Sequence, residues 1–293
     1  MSKVRVVSYN IHKGRSLGGR DSLPDLRLGL HGLHADLLFL QEVQGRNEQR
    51  ANLDAQHESL AAALHMQVAY GCNAVRQKSD HGNALLSRFP ILSFENEDVS
   101  DHALEQRGLL HGVIDVDGQC VHCFVVHLGL FAGSRMRQIE LMAQRINRLV
   151  QPHEPILIAG DFNDWRNELA PLFVKQLGVY EVFTQASQAM GKMPRLRDSV
   201  RQIRQVLSGE QSIAAFARQQ QNRHQQVPRH QLTMHGVDRL QPPPKTFPAK
   251  FPMLRLDRVY QRGFAVKRAQ VLRDKPWSLL SDHAPLVVDL ELA

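Results

Sequence analysis

Ile156-Leu-Ile-Ala159 is an apolar run bounded by Pro155 and Gly160, and it stops abruptly at a carboxylate, Asp161, and an amide, Asn163. A run this short between turn residues reads as a buried strand, which leaves both polar groups at its exit. Taken alone, Asp161 serves equally well as the cap of a following helix. The pattern recurs, however. Val4-Arg-Val-Val-Ser-Tyr runs into Asn10, Leu37-Leu-Phe-Leu40 into Gln41-Glu42, and Val121–Val126 into His127. Met253–Tyr260 reads as a strand carrying Asp257 within it, and Ser281-Asp282-His283 precedes a last strand, Ala284–Leu292.

Between these runs the apolar spacing turns helical. Leu26, Leu30 and Leu33 share one face; Asp54–Met66 is an amphipathic helix with Leu60, Ala63 and Leu64 inward. Ser134 is the expected cap of a long helix with Met136, Ile139, Met142, Ile146 and Leu149 on one side. His81–Ser87 and the segment from Pro90 supply further strands, as does Ala265–Leu272. Asp117-Gly118 turns a hairpin between Gly108–Asp115 and Val121–His127. Strands alternating with helices over 293 residues fit one large α/β domain.

A chain 43% apolar and 22% charged has the composition of a globular protein. No stretch approaches the roughly 20 apolar residues of a membrane helix, and Met1-Ser-Lys-Val runs into a strand without a signal-peptide core, so the expected location is cytoplasmic. Cys72, Cys120 and Cys123 cannot all pair within the chain. Cys120-Val-His-Cys123 lies on a strand pattern without a second pair, so these read as buried strand thiols rather than a zinc or redox site. The net charge of +7 is local: residues 191–231 hold eight Lys/Arg against two Asp/Glu. That stretch belongs to a basic insertion at about 188–243, expected to form two amphipathic helices split at Ser208-Gly209 and packed on the domain.

Loops at one edge of a sheet gather residues distant in sequence. Asn10, Glu42, His127, Asp161, Asn163, Asp257, Asp282 and His283 are therefore candidates for one site. Singly, each has an ordinary reading: Asn10 as a turn residue, Glu42 as a solvated charge, Asp257 in a structural salt bridge. Jointly, carboxylates, amides and imidazoles at so many strand ends point to a site. Carboxylates and amides are hard oxygen ligands suited to Mg²⁺ or Mn²⁺, and phosphate is the natural substrate group beside them.

The motifs Ser8-Tyr-Asn-Ile11, Leu40-Gln-Glu-Val43, Gly82-Asn-Ala-Leu-Leu-Ser-Arg-Phe-Pro90, Val126-His-Leu128, Gly160-Asp-Phe-Asn163, Leu256-Asp-Arg-Val259 and Ser281-Asp-His-Ala-Pro-Leu286 occur in one order. In that order they resemble the endonuclease/exonuclease/phosphatase superfamily of metal-dependent phosphoesterases, over most of the chain but not the basic insertion. The resemblance is to a compact, stand-alone bacterial branch, and it implies one domain over residues 1–293 folded as a four-layer α/β/β/α sandwich of two mixed sheets, DNase I-like. It implies Glu42 as principal metal ligand with Asn10 beside it and Asp282 tied to the metal site. Asp161 matches the residue that orients or deprotonates the attacking water, and Asn163 the one that holds phosphate or nucleophile. His283 matches the motif histidine at the phosphate, Asp257 the carboxylate that orients its ring, His127 a second histidine at the scissile phosphate and Arg107 a phosphate-facing side chain. Two alternatives stand beside a Mg²⁺-dependent nuclease: a phosphodiesterase or phosphatase acting on a phospholipid or small phosphoester, and a non-catalytic binding module on the same scaffold. Residues 191–231 would then contact an anionic surface, either nucleic-acid backbone or membrane.

Overall fold

The computed structural model describes residues 2–47, 55–77, 79–102, 105–189 and 243–293. Met1–Ala186 and Pro242–Ala293 form one compact unit, and Ser187–Gln241 a second. The helices expected in the insertion, and its basic stretch 191–231, lie outside the described residues.

Over the described residues the chain forms β1 (Lys3–Asn10), α1 (Leu23–Leu33), β2 (Leu37–Asn47), α2 (Gln56–Leu64), β3 (Gln67–Arg76), β4 (Ser79–Ser87), β5 (Ile91–Asp98), β6 (Gly108–Val116), β7 (Gln119–His127) and α3 (Ala132–Leu149). Then come β8 (Ile156–Asp161), α4 (Ala170–Leu172), β9 (Tyr180–Glu181), α5 (Val182–Ala189), β10 (Asp257–Arg262), β11 (Phe264–Val271), α6 (Trp277–Leu280) and β12 (Leu286–Leu292). Two six-stranded sheets result, ordered β11-β12-β1-β2-β4-β3 and β5-β6-β7-β8-β10-β9. Each has a parallel pair at its centre, β1 with β2 and β7 with β8, among antiparallel neighbours.

Three apolar clusters explain the layering. Val4, Val6, Leu37, Phe39, Leu157, Ala159 and Val288 fill the space between the sheets. The alternate residues Val7, Tyr9, Leu38 and Leu40 point outward beneath α1, α2 and Trp277. Ile156 and Ile158 point outward beneath Ile139, Met142 and Ile146 of α3. Strands covered on both faces must be apolar at every position, which is why they read as unbroken runs. The architecture is the four-layer α/β/β/α sandwich.

Local readings need correction at four places. Phe131, not Ser134, stands at the N-cap of α3; the Ser134 hydroxyl donates to Asp101 Oδ2 from inside the helix, and Met136 and Leu149 lie on its exposed side. The apolar face of α2 buries Leu60 and Ala61 rather than Ala63. Cys123 is a buried strand thiol, but Cys72 and Cys120 are exposed, Cys120 at the open start of β7 beside exposed Gln119. Asp257 opens β10 instead of lying within it, since Met253 and Leu254 belong to the preceding loop.

Gly160 is held by sterics. Its φ is +151° and a Cβ there would lie 1.9 Å from the Val126 carbonyl oxygen. Gly160→Ala should therefore destabilise the fold by about 2 kcal/mol or more, read from urea unfolding.

His111 on β6 and His122 on β7 share a hydrogen bond of 3.0 Å beneath α3, and His111 stacks on Phe124. Burial, aided by the positive groups His122 and Arg145, pushes His111 down from 6.5 to about 3. The folded state thus resists a proton that the unfolded chain accepts. The contribution of neutral His111 is complete above pH 6.5 and is lost as pH falls toward 3. Stability should decline by about 2 kcal/mol between pH 7 and 5 from this group, and His111→Gln should flatten that decline in urea titrations at the two pH values.

Candidate functional site

The register of the second sheet aligns three candidates in one row. Asp161 at the end of β8 pairs with His127 at the end of β7 on one side and with Asp257 at the start of β10 on the other. A carboxylate flanked by an imidazole and a second carboxylate is therefore fixed by backbone pairing, before any side chain moves. In the first sheet Asn10 ends β1 opposite Gln41, one residue before Glu42. Glu42 lies in an irregularity of the β2–β4 pairing, at φ +53°, a left-handed conformation that re-aims its side chain away from the alternation of the strand.

The two sheets meet through Asn10. Its amide Nδ2 donates to Glu42 Oε1 and to Asp161 Oδ2, each at 3.3 Å, while its Oδ1 accepts from the His12 backbone N–H at 3.0 Å. Asp161 Oδ1 accepts from the Asn163 N–H at 3.0 Å, and Asn163 Nδ2 donates to the Leu128 carbonyl. Two imidazoles face Asp161 Oδ2: His127 Nε2 at 3.7 Å and His283 Nε2 at 3.6 Å. His283 Nδ1 lies 2.9 Å from Asp257 Oδ2, and Phe247 packs against its ring at 5.0 Å between centroids. Ser281 anchors this loop by donating to the Asn10 carbonyl at 2.7 Å.

Charge distinguishes the two histidines. Burial opposes a cation on His283, but Asp257, Asp161 and Asp282 outweigh it and raise the ring to about 10. On His127, burial and Arg107 together prevail over Asp161 and Glu42 and lower the ring to about 4. His283 is therefore the cation and His127 the neutral imidazole. Burial pushes the Glu42 carboxyl up, but the charge that His127 takes on in acid, together with the Lys13 ammonium, overcomes it and holds Glu42 well below the usual carboxylate range.

Lys13 is the group that sequence reasoning missed. Its Nζ donates to Glu42 Oε2 at 2.5 Å. His12, Lys13 and Gly14 all have left-handed φ, at 47°, 57° and 64°. Such a run costs roughly 1–2 kcal/mol at each non-glycine residue and persists only where neighbours impose it. Here Gln56 Nε2 donates to the Lys13 carbonyl, and Asn10 holds the His12 N–H. The only sequence hint was Gly14. His81 also enters the cavity, as do Trp165 and Phe247, and buried Arg258 braces the Asp161 loop by donating to the Asp164 and Asp257 carbonyls.

These groups line one cavity of about 410 Å³ that contains Lys13, Glu42, Arg107, His127, Asp161, Asn163 and His283. The Arg107 Nε is buried without a hydrogen-bond partner, and its Nη2 lies 3.8 Å from Glu105 Oε1. Asp282 stands apart from this lining: its Oδ1 accepts from Ser281 Oγ and lies 3.7 Å from His12 Nδ1.

Asp161, Asp257 and His283 present possible metal-ligand atoms within 4.8 Å of one another. An imidazole that is cationic and bonded through Nδ1 is a poor metal ligand, so this trio is better described as a hydrogen-bonded Asp257–His283 pair that faces Asp161 at 3.6 Å. The cation-seeking group is Glu42, a buried carboxylate already in contact with an ammonium. With Asp161 joined to it through Asn10, the oxygen-rich donor set fits a hard divalent ion.

A model of the Endonuclease/Exonuclease/phosphatase family matches residues 7–283. The chain belongs to that family. Members of the Endonuclease/Exonuclease/phosphatase family are generally phosphoester hydrolases acting on phosphodiesters or phosphomonoesters. A curated relative in this family, the uncharacterized protein YbhP of Escherichia coli K12, is 34% identical over 98% of this chain and 96% of its own. Among solved structures, a family member from Beutenbergia cavernae superposes with a TM-score of 0.68 at 19% identity, covering 100% of this chain and 72% of that one. D. rerio TDP2 complexed with single-strand DNA product gives 0.63 at 18% identity, with 99% and 100% covered. A Bacteroides thetaiotaomicron mannosyl-6-phosphatase gives 0.64 at 18% identity, with 99% and 100% covered. These likenesses establish the DNase I-like fold.

Lys13→Met should leave Glu42 buried beside no ammonium. In EDTA the thermal midpoint should fall by an amount equivalent to about 1–3 kcal/mol. Added Mg²⁺ should restore more stability to the variant than to the parent, as measured by differential scanning fluorimetry.

Proposed function

We propose that this protein is a divalent-metal-dependent phosphodiesterase that cleaves a P–O bond by in-line attack of water. The observation that carries the reading is Asp161 Oδ2, set between His127 Nε2 and His283 Nε2 with Asn10 linking it to Glu42. A carboxylate so placed can orient a water and receive its proton. Asn163 supports it: its backbone N–H fixes one Asp161 oxygen, and its side chain lies in the cavity wall. The chemistry demands positive charge where the phosphoryl oxygens develop negative charge. His283, cationic and oriented by Asp257, supplies a fixed donor, and Arg107 supplies an unpartnered one. Neutral His127 contributes a hydrogen bond without adding charge. Glu42, with Asn10 beside it, would hold Mg²⁺ or Mn²⁺, which would supply a Lewis acid for the phosphoester, while Asp282 lies outside the cavity lining beside His12.

Two substrate classes remain under this mechanism. A nucleic acid is favoured by the charge of residues 191–231, whereas a phospholipid or small phosphoester is favoured by the apolar walls of the cavity, Leu130, Trp165, Phe247, Leu254 and Leu256. A panel of an aryl phosphodiester, DNA, RNA and phospholipid, each with Mg²⁺ and with EDTA, discriminates them. Asp161→Asn and His283→Ala should each reduce turnover of the accepted substrate roughly 10³-fold or more with an unchanged circular dichroism spectrum. Full activity in Asp161→Asn would overturn the mechanism. A lack of Mg²⁺-dependent turnover on every substrate, shared by parent and variant, would support a binding module instead.

A further inference from the structure

The loop before β10 is a built hairpin rather than a loose connection. Phe247 and Leu254 pair as an antiparallel bridge, Leu254 N–H donates to the Phe247 carbonyl at 2.8 Å, and Met253 N–H donates to the same oxygen at 2.7 Å. Phe251 N–H closes the tip on Pro248 O, and Ala249 N–H donates to the Asp282 carbonyl at 2.7 Å. The base of the hairpin is tied to the site, because Phe247 packs on His283. Its tip is the reverse of what such ordering serves in a soluble loop: Phe251 is 72% exposed and Met253 68% exposed. Single exposed apolar residues need no explanation, but several on separate ordered loops around one cavity do. Also lining the cavity stand Leu130 and Trp165, exposed at 55% and 42%.

Charge selects among the partners such a rim could meet. From Pro243 to Leu256 the chain carries Lys245, Lys250 and Arg255 and no acidic residue, and Lys245 and Lys250 are exposed. A protein groove would present a continuous apolar face. Single-stranded nucleic acid would call for a row of aromatic platforms. Separate apolar knobs flanked by lysines are instead suited to the headgroup and acyl boundary of an anionic bilayer, where the knobs leave water and the ammoniums meet lipid phosphate.

We infer that the hairpin 246–254 docks the mouth of the active site onto an anionic phospholipid surface, so that the phosphoester delivered to Asp161 and His283 is one displayed by a lipid headgroup. The inference rests on the phosphoesterase reading for its substrate, while the docking itself is measurable without turnover. Insertion of Phe251 and Met253 would place the Phe247 end of the same hairpin, and with it His283, next to the headgroup plane.

The test uses the full-length protein with sucrose-loaded vesicles of phosphatidylcholine alone or mixed with phosphatidylglycerol. The parent should co-sediment with the mixed vesicles. Phe251→Ser combined with Met253→Ser should weaken partition roughly tenfold or more, with the thermal midpoint and hydrolysis of a soluble bis-nitrophenyl phosphate unchanged. Phe251→Leu with Met253→Leu should retain partition, and the added fluorescence of Phe251→Trp should shift to the blue when mixed vesicles are present. Failure of the parent to co-sediment, partition that survives the double serine variant, or an unshifted Phe251→Trp signal would each overturn the docking. Absence of Mg²⁺-dependent hydrolysis of the soluble diester by the parent would overturn the phosphoesterase reading alone, because the vesicle readouts still decide the docking.

Discussion

Everything in this molecule depends on one alignment: the backbone pairing of β7, β8 and β10 that fixes His127, Asp161 and Asp257 side by side at a single sheet edge. Register is set here by packing shape, because a one-residue slip would exchange the side chains fitted to the inter-sheet core with those fitted to the helix layer. The cores on either side of β8 are thus what keep Asp161 opposite its partners. Gly160 adds to this by letting the Val126 carbonyl approach where a Cβ would forbid it. The polar site is held by apolar packing several residues away.

The electrostatics follow from the same geometry. Asp161 faces two rings at similar distances, yet one is cationic and the other neutral. The difference comes from what lies behind each ring. His283 has Asp257 on its Nδ1 side, whereas His127 has Arg107 nearby. Under the proposed phosphodiesterase reading, one fixed cation beside one neutral hydrogen-bonding group suits a transition state that gains charge unevenly.

The sequence made the edge positions legible because a strand buried on both faces ends visibly. Asn10, Glu42, His127, Asp161 and Asn163 could be read from where apolar runs stop, and the structure gathers them with Asp257 and His283. Lys13 escaped because its placement depends on consecutive left-handed residues, which leave no periodic trace beyond Gly14. The hairpin 246–254 escaped for a related reason: Met253 and Leu254 continue the apolar pattern of β10, so the strand reads as longer than it is. Ser134 misled because a serine near a helix start is a good cap by type, and only the fold reveals that its hydroxyl is committed to Asp101. Cys120 and Cys72 show the same limit, since which stretch of a strand is covered is a property of the assembled layers.

Glu42 belongs to one sheet and Asp161 to the other, and they communicate through a single amide, Asn10. Neither sheet alone contains the whole site. A partly folded chain in which one sheet has formed therefore lacks the assembled site, which arises only when the inter-sheet core closes. The site thus acts as a coincidence detector for completed folding.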